Sequence, residues 1–252
     1  MEYFVDKESI VRRVWGKSDT ILFIFAGAAA EFALNKAVDW LYFTGRLPKD
    51  PIGRLFSTVS YARWIIFSEK EEAIKAIDRI SAIHKSVENA RGYSIPDWAY
   101  RDVLFMLIHY SIASFELLER KMTDAEKQDL FDVFNRVGER MGLKDLPRDY
   151  QSWISVREEH MENDLQLSEY TTDLVLQYKK HLGLTRYKIL KEAQLLVIPK
   201  KVNDLLQLGR FSWLRPAVPF YKLSKKLHFD WIVKAALLPA KYKRQIEELE
   251  MS

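Results

Sequence analysis

Apolar side chains recur at steps of three and four residues along much of the chain, which is the spacing of one face of an α-helix. One such series continues from an apolar stripe into a histidine and comprises Ile74, Ile77, Ile80, His84 and Val87. A second series follows Pro96 and comprises Val103, Met106, Tyr110 and Ala113. Residues 21–40 are apolar on nearly every side, which predicts a helix buried in the core of a large domain.

Local signals agree with a helical fold. Two segments have the form of a capping box, in which a side chain at each end satisfies a backbone amide of the first turn: Ser68 with Glu71, and Thr123 with Glu126. No segment alternates apolar and polar residues for long, and Asn-Gly and Asp-Gly hairpin turns are absent. We therefore predict an all-α fold that forms a single domain over residues 1–252.

The composition removes several kinds of chemistry. Because the 252 residues include no cysteine, a catalytic thiolate, a disulfide, a cysteine-ligated cluster and a thiolate-bound haem are excluded. The sequence has no glycine-rich phosphate loop, no G-x-S-x-G elbow and no H-E-x-x-H helix. A glutamate three residues before a histidine, typical of di-iron bundles, is missing at all five histidines. Any metal or haem must be bound by histidine, carboxylate, tyrosine or methionine.

The net charge of +4 is unevenly distributed. Residues 200–244 contain eleven Lys or Arg and two acidic residues, a local charge of +9, so the remainder sums to −5. A solvated basic face, a contact with an anionic membrane surface and a redox partner all remain open. No nucleic-acid-binding motif accompanies the charge, so we expect no nucleic-acid partner.

No segment predicts targeting or membrane insertion. The most apolar run, residues 21–30, is followed at once by Glu31 and is too short for a bilayer span of roughly 20 residues. The first six residues carry two acidic side chains and no basic one, unlike a secretory signal. We expect a soluble, cytoplasmic protein.

Three side chains are candidates for a cofactor site. His84 continues the stripe of Ile77 and Ile80, so its imidazole either binds iron in apolar surroundings or is a core histidine satisfied by a backbone carbonyl. Arg54 and Thr58 lie four residues apart and share a helix face. They suit a haem propionate, a substrate oxygen or dioxygen; otherwise they are a surface arginine and a threonine bonded to its own helix.

Two histidines have a carboxylate two residues later, namely His160 before Glu162 and His228 before Asp230. This spacing suits a shared metal ion on a strand, where residues two apart lie on one face. On a helix the two side chains diverge by about 200°. Both segments look helical, so we attribute the spacing to chance.

Around His84 stands a longer series of residues with a characteristic order and spacing. It comprises Arg54-Leu55-Phe56-Ser57-Thr58, Tyr61, Phe67, Glu71, Ala73, Ile83-His84, Tyr100, Leu104 and Leu107-Ile108-His109-Tyr110-Ser111. This series resembles the catalytic domains of the MpaB-like and latex-clearing rubber oxygenase family over about residues 15–165. A weaker similarity occurs at Leu237-Leu238-Pro239.

The resemblance implies a globin-like, multi-helix core that binds one haem b within about residues 15–165, with residues 166–252 as a basic C-terminal helical extension. It implies that His84 is the iron ligand and that Arg54 and Thr58 lie on the distal or propionate side. His109 is then a pocket residue that also contacts the cofactor, or a packing residue. Members of the family use dioxygen on isoprenoid double bonds.

One departure from the family affects the expected substrate. Ser57 stands where a rubber oxygenase can offer a lysine, so we expect a small apolar, isoprenoid- or lipid-like substrate rather than polyisoprene. Two alternatives remain open. One is a haem-dependent peroxidase, dehydrogenase or isomerase, and the other is a haem-free helical module that binds a lipid or a partner protein.

Overall fold

The helices predicted from the apolar pattern dominate the computed structural model, which describes residues 2–45 and 49–226. Within these ranges the β-type pairing is limited to two isolated bridges, Tyr3 with Glu69 and Asn35 with Leu165. The helices are α1 (Ile10–Trp15), α2 (Ser18–Phe32), α3 (Val38–Phe43), α4 (Pro51–Phe67), α5 (Lys70–Arg91), α6 (Asp97–Leu118), α7 (Asp124–Arg140), α8 (Tyr150–Asn163), α9 (Glu169–Val197), α10 (Lys200–Leu206) and α11 (Ala217–Lys226). The prediction of an all-α fold is confirmed.

The core forms where α2 packs along α6. Gly27 of α2 permits this close approach, since a Cβ there would lie 2.2 Å from the ring of Tyr110 on α6. The largest fully buried side chains include Trp15, Tyr110, Phe105, Phe115 and Phe131. α9 packs against α2, α4 and α6, so helices on both sides of residue 165 share the core.

The apolar stretch of residues 21–40 is two helices rather than one. α2 ends at Phe32 and α3 begins at Val38. Asn35 lies between them, and its side chain accepts a hydrogen bond from Ala37 N–H (2.8 Å) and donates one to Asp102 (2.6 Å). The prediction of a single helix was wrong because one buried asparagine offers the backbone a competing hydrogen bond.

Of the two predicted capping boxes, one is confirmed. Thr123 Oγ1 accepts from Glu126 N–H (3.2 Å), and the Glu126 carboxylate accepts from Thr123 N–H (2.9 Å). The box at Ser68 is wrong, because Ser68 has extended backbone at the end of α4 and Glu69 precedes the first turn of α5. At that point Lys70 N–H donates to the carbonyl of Glu2 (2.9 Å), so the N-terminal segment satisfies an amide of the first turn.

α5 is buried along only part of its length. Ala73, Ala76 and Ile77 are fully buried, whereas beyond Ile80 the helix has no fully buried residue and Ile83 is 39% exposed. α5 ends at Gly92, whose φ of +78° is a conformation that glycine adopts without strain. The chain then turns back toward α6, and the second half of α5 lies beside this turn.

The C-terminal part is helical as far as it is described, through α9, α10 and α11. Residues 227–252 lie outside the described residues, and with them His228, Asp230, Leu237-Leu238-Pro239 and part of the basic stretch. Exposed apolar side chains occur in this region and include Phe211, Trp213 and Phe220. Among the helices described, none combines the length and the hydrophobicity that crossing a membrane requires.

Candidate functional site

His84 faces a cleft of about 520 Å³ between the second half of α5, the turn that follows it, the start of α6 and the loop after α7. The imidazole lies beside Tyr100 of α6, with 5.0 Å between the ring centroids. Both polar and apolar side chains line the cleft; those used below are His84, Lys85, Glu88, Ile95, Tyr100, Met141 and Leu143. The sequence predicted the helix and the histidine, and the fold supplies the space beside it.

The imidazole of His84 is neutral at pH 7. Burial lowers its pKa to about 4, and the charge of Arg54 acts in the same direction while Glu88 opposes it. Its Nδ1 atom is buried and has no hydrogen-bond partner among the described residues, so none of their backbone carbonyls accepts from it. A neutral imidazole is the protonation state in which histidine binds metal ions.

Glu88 fixes the rim of the cleft. Its carboxylate accepts hydrogen bonds from Ile95 N–H (2.8 Å), from Lys85 Nζ (3.2 Å) and from the hydroxyl of Tyr100 (3.3 Å). Burial opposes its ionisation, but these bonds outweigh burial and the pKa of Glu88 is lowered. The pKa of Tyr100 is raised by burial and by the charge of Glu88, so the phenol stays protonated. The second half of α5 is thus tied to the turn that follows it.

Arg54 and Thr58 lie on α4, which packs against α5. α4 begins at Pro51 after Asp50, whose side chain accepts from Gly53 N–H (3.1 Å). Arg54 is half-buried and close enough for its charge to lower the pKa of His84, so the fold brings these two candidates together. The hydroxyl of Thr58 donates to the carbonyl of Arg54 (3.2 Å), which is the bond to its own helix that the sequence left open.

His109 belongs to a different set of neighbours. Burial lowers its pKa to about 4, the charge of Arg157 acts in the same direction, and Glu31 and a backbone hydrogen bond with Val197 oppose them. We call Glu31, His109, Tyr110 and Arg157 the Glu31 cluster; it joins α2, α6 and α8. The charged groups acting on His84 are Arg54 and Glu88, so the two histidines lie in separate electrostatic environments.

The centre of the Glu31 cluster is a buried ion pair. The side chains of Glu31 and Arg157 are 0% and 3% exposed, and their carboxylate and guanidinium are in direct contact. Tyr110 donates to the same carboxylate at 2.8 Å. Burial raises the pKa of Glu31, but Arg157 and Tyr110 outweigh it and the net pKa is lowered. Sequence reasoning missed Arg157, since its partner lies 126 residues away in the chain.

The sequence analysis rejected His160 and Glu162 as a pair of metal ligands because the two side chains cannot share a helix face. Both residues lie in α8, so the prediction that this segment is helical is confirmed. Glu162 pairs with Lys201 instead. His160 lies against Asp102 of α6 and Asp164 at the end of α8. The spacing of four residues between His160 and Asp164 was the sequence signal that could have identified Asp164 as a neighbour of His160.

Comparison with known proteins assigns the chain to a family. The sequence model described as "ER-bound oxygenase mpaB/B'/Rubber oxygenase, catalytic domain" matches residues 12–229. The chain belongs to this family. The mpaB/rubber oxygenase domain thus extends well beyond the 15–165 predicted from the residue series and includes α9, α10 and α11. None of the curated proteins that were compared matches the chain. A general oxygenase role follows from the family.

Proposed function

We propose that this member of the mpaB/rubber oxygenase family is a haem b-dependent oxygenase that uses dioxygen to oxidise a small apolar, isoprenoid- or lipid-like substrate. The observation that supports this most is the state of His84, which is neutral, has an unpartnered Nδ1 and faces a cleft of about 520 Å³. A volume of this size is in the usual range for a ligand site.

His84, which lines the cleft, and Arg54, whose charge acts on His84 from outside the cleft lining, are side chains of the kinds that a haem group needs. In a chain without cysteine, histidine is the expected protein ligand of haem iron, and His84, which is unprotonated at physiological pH, would hold the group. Arg54 places a cation near His84, where a haem propionate needs a charge partner. Haem iron, when bound, supplies the dioxygen binding and electron transfer that amino-acid side chains lack.

The chain's own residues then have separate roles. His84 holds the iron, and Tyr100 packs against the imidazole and restricts its orientation. Arg54 binds the propionate or an oxygen of the substrate. Thr58, which donates to its own helix, turns its hydroxyl to a ligand oxygen when one is present. His109 acts from the Glu31 cluster as a packing residue for α6.

The apolar side chains of the cleft suit the proposed substrate class. Ile95, Met141 and Leu143 line it. Such a surface binds hydrocarbon by excluding water. A small isoprenoid or lipid chain would bind against these apolar side chains, while polar side chains such as Lys85 and Glu88 line the rest of the cleft.

The decisive experiment is haem retention by His84→Ala. The wild-type protein, reconstituted with haem, should keep a Soret band through gel filtration, and the variant should lose it because the iron has no axial ligand. His181→Ala, a histidine on α9 outside the cleft, is the matched control and should keep haem. A full Soret band in His84→Ala would show that His84 is not the iron ligand. A wild-type protein that retains no haem would show that haem is not the cofactor.

A second variant tests the oxygen chemistry. Thr58→Val deletes the hydroxyl and should keep haem while lowering oxygen consumption with isoprenoid alkenes by roughly tenfold or more. Thr58→Ser, which keeps a hydroxyl at the same position, should retain most of the rate. Equal rates in wild type and Thr58→Val would exclude Thr58 as a donor.

A further inference from the structure

Asp102, His160 and Asp164 form a second cluster of ionisable side chains, outside the cleft. One ligand atom of each (a carboxylate oxygen, Nδ1 and a carboxylate oxygen) lies within 4.8 Å of the other two. Asp102 and His160 are 1% and 5% exposed, whereas the side chain of Asp164 is 22% exposed. Two of the three side chains are therefore buried, and the third, that of Asp164, reaches solvent.

The hydrogen bonds of the cluster converge on one nitrogen of His160. Its Nδ1 contacts the carboxylates of both Asp102 and Asp164, the latter at 2.8 Å, and one N–H makes only one well-aligned bond. On the opposite side of the ring, Nε2 is buried and has no partner among the described residues. The two carboxylates therefore compete for the proton of a single ring nitrogen.

The charges of the cluster favour a cation. In the described part of the chain, no lysine or arginine lies within ion-pair distance of either aspartate. Asp164 also caps the C-terminal end of α8, where the helix dipole attracts positive charge.

Neighbouring residues hold the cluster in place. The other oxygen of Asp102 accepts from the amide of Asn35 (2.6 Å), which orients the carboxylate as the outer partners of metal ligands do. Asp164 is fixed by its own backbone, since its N–H donates to the carbonyl of His160 (2.8 Å) and its carbonyl accepts from Lys36 N–H (2.9 Å).

From this arrangement we infer that Asp102, His160 and Asp164 bind one divalent metal ion, which ties α6 to the C-terminal end of α8. The three ligand atoms lie within 4.8 Å of one another, which is within the reach of one ion whose ligands are each about 2.0–2.6 Å away. One imidazole nitrogen with two carboxylate oxygens suits Zn²⁺ or Mn²⁺. The site is independent of the haem proposal and requires no haem.

The test uses the full chain, freed of metal with a chelator and without haem, and titrates it with Zn²⁺ and with Mn²⁺ in a calorimeter. We expect one equivalent of at least one of these ions to bind and to raise the Tm, since a ligand that binds the folded chain stabilises it. Asp164→Asn, at the partly exposed position, should weaken binding by at least about tenfold. Glu162→Gln, two residues away and outside the cluster, is the matched control and should bind as the wild type does.

Each other outcome overturns the site. Failure of both ions to bind the folded wild-type chain removes it, as does equal affinity in wild type and Asp164→Asn. An equal loss in Glu162→Gln shows that the ion binds a diffuse acidic surface. If Asp164→Asn does not fold, the visible spectrum of the Co²⁺-loaded wild-type chain decides, because Co²⁺ at a four-coordinate protein site absorbs far more strongly than hydrated, octahedral Co²⁺, whose bands are weak; a spectrum like that of the hydrated ion would remove the site.

Discussion

The His84 region and the Glu31 cluster place ionisable groups among apolar helices in opposite ways. In the Glu31 cluster a carboxylate and a guanidinium neutralise each other with almost no exposed surface. At His84 the imidazole becomes neutral instead, beside a cleft. Both arrangements hold buried polar atoms that have no partner among the described residues: Glu31 Oε1 with Arg157 Nε and Nη1 in the first, and His84 Nδ1 in the second. The difference is that the charges of the first neutralise each other, whereas His84 lines a cleft that a ligand can enter.

The surrounding packing differs in the same sense. Glu31 and Tyr110 lie on α2 and α6, the two helices that form the centre of the core. His84 lies on the half of α5 that has no fully buried residue. A region that holds a ligand must leave a surface uncovered, and it therefore contributes less to stability. The following predictions test this contrast.

The largest effect is expected in the Glu31 cluster. Arg157→Met leaves the Glu31 carboxylate buried without its cation and should lower the free energy of unfolding by about 3–5 kcal/mol in urea denaturation. The double variant Glu31→Gln/Arg157→Met removes both charges and should recover a large part of the loss. A loss of less than about 1 kcal/mol in the single variant would mean that the pair is not buried as described.

An intermediate effect separates the two halves of α5. Ile77→Ala, at a fully buried position, should lower the free energy of unfolding by about 2–5 kcal/mol. Ile83 is 39% exposed and lies on the half of α5 that carries His84. Ile83→Ala should change the free energy of unfolding by no more than about 0.5 kcal/mol. Urea denaturation of the haem-free variants measures both. Similar losses at the two positions would contradict the partial burial of α5.

A third effect, absent near pH 7, is expected in the pH dependence of stability. The pKa of His84 is about 4 when folded and about 6.5 when unfolded, so the unfolded chain binds the proton more readily between these values. The free energy of unfolding should therefore fall as the pH drops from about 6.5 toward 4. His84→Gln should make this fall shallower without abolishing it, because the pKa of His109 is lowered in the same window.

The control for the pH prediction is His181→Gln, which replaces a histidine outside both regions. Its stability should follow the wild-type profile between pH 4 and pH 7. Identical profiles for His84→Gln and the wild type would mean that the imidazole is as easily protonated in the folded chain as in the unfolded one.

Several features followed from local sequence alone. The start of α6 after Pro96 and the capping box at Thr123 are where the sequence predicted them. Such signals involve residues within one turn of each other, so no distant part of the chain is needed to interpret them. The haem roles of Arg54, Thr58, His84 and His109 remain predictions.

Other features depended on distant partners and were missed or wrong. Asn35 lies at the break between α2 and α3, where its side chain bonds to the backbone of Ala37 and is held by Asp102, 67 residues later. Ser68 does not cap α5, since the N-terminal segment already satisfies an amide there. The sequence suggested Glu162 as a partner of His160, but in the folded chain His160 contacts Asp102 and Asp164. Each outcome depends on which elements meet, and residue spacing does not record that.

The sequence by itself determined the helical class, the family and the stripe that ends in His84, because helix periodicity and residue order are properties of neighbours along the chain. Tertiary structure alone decided which charges are paired, which half of α5 stays uncovered and where a cleft opens beside the imidazole. Burial changes the cost of a charge by several kcal/mol, and burial exists only after the helices have packed.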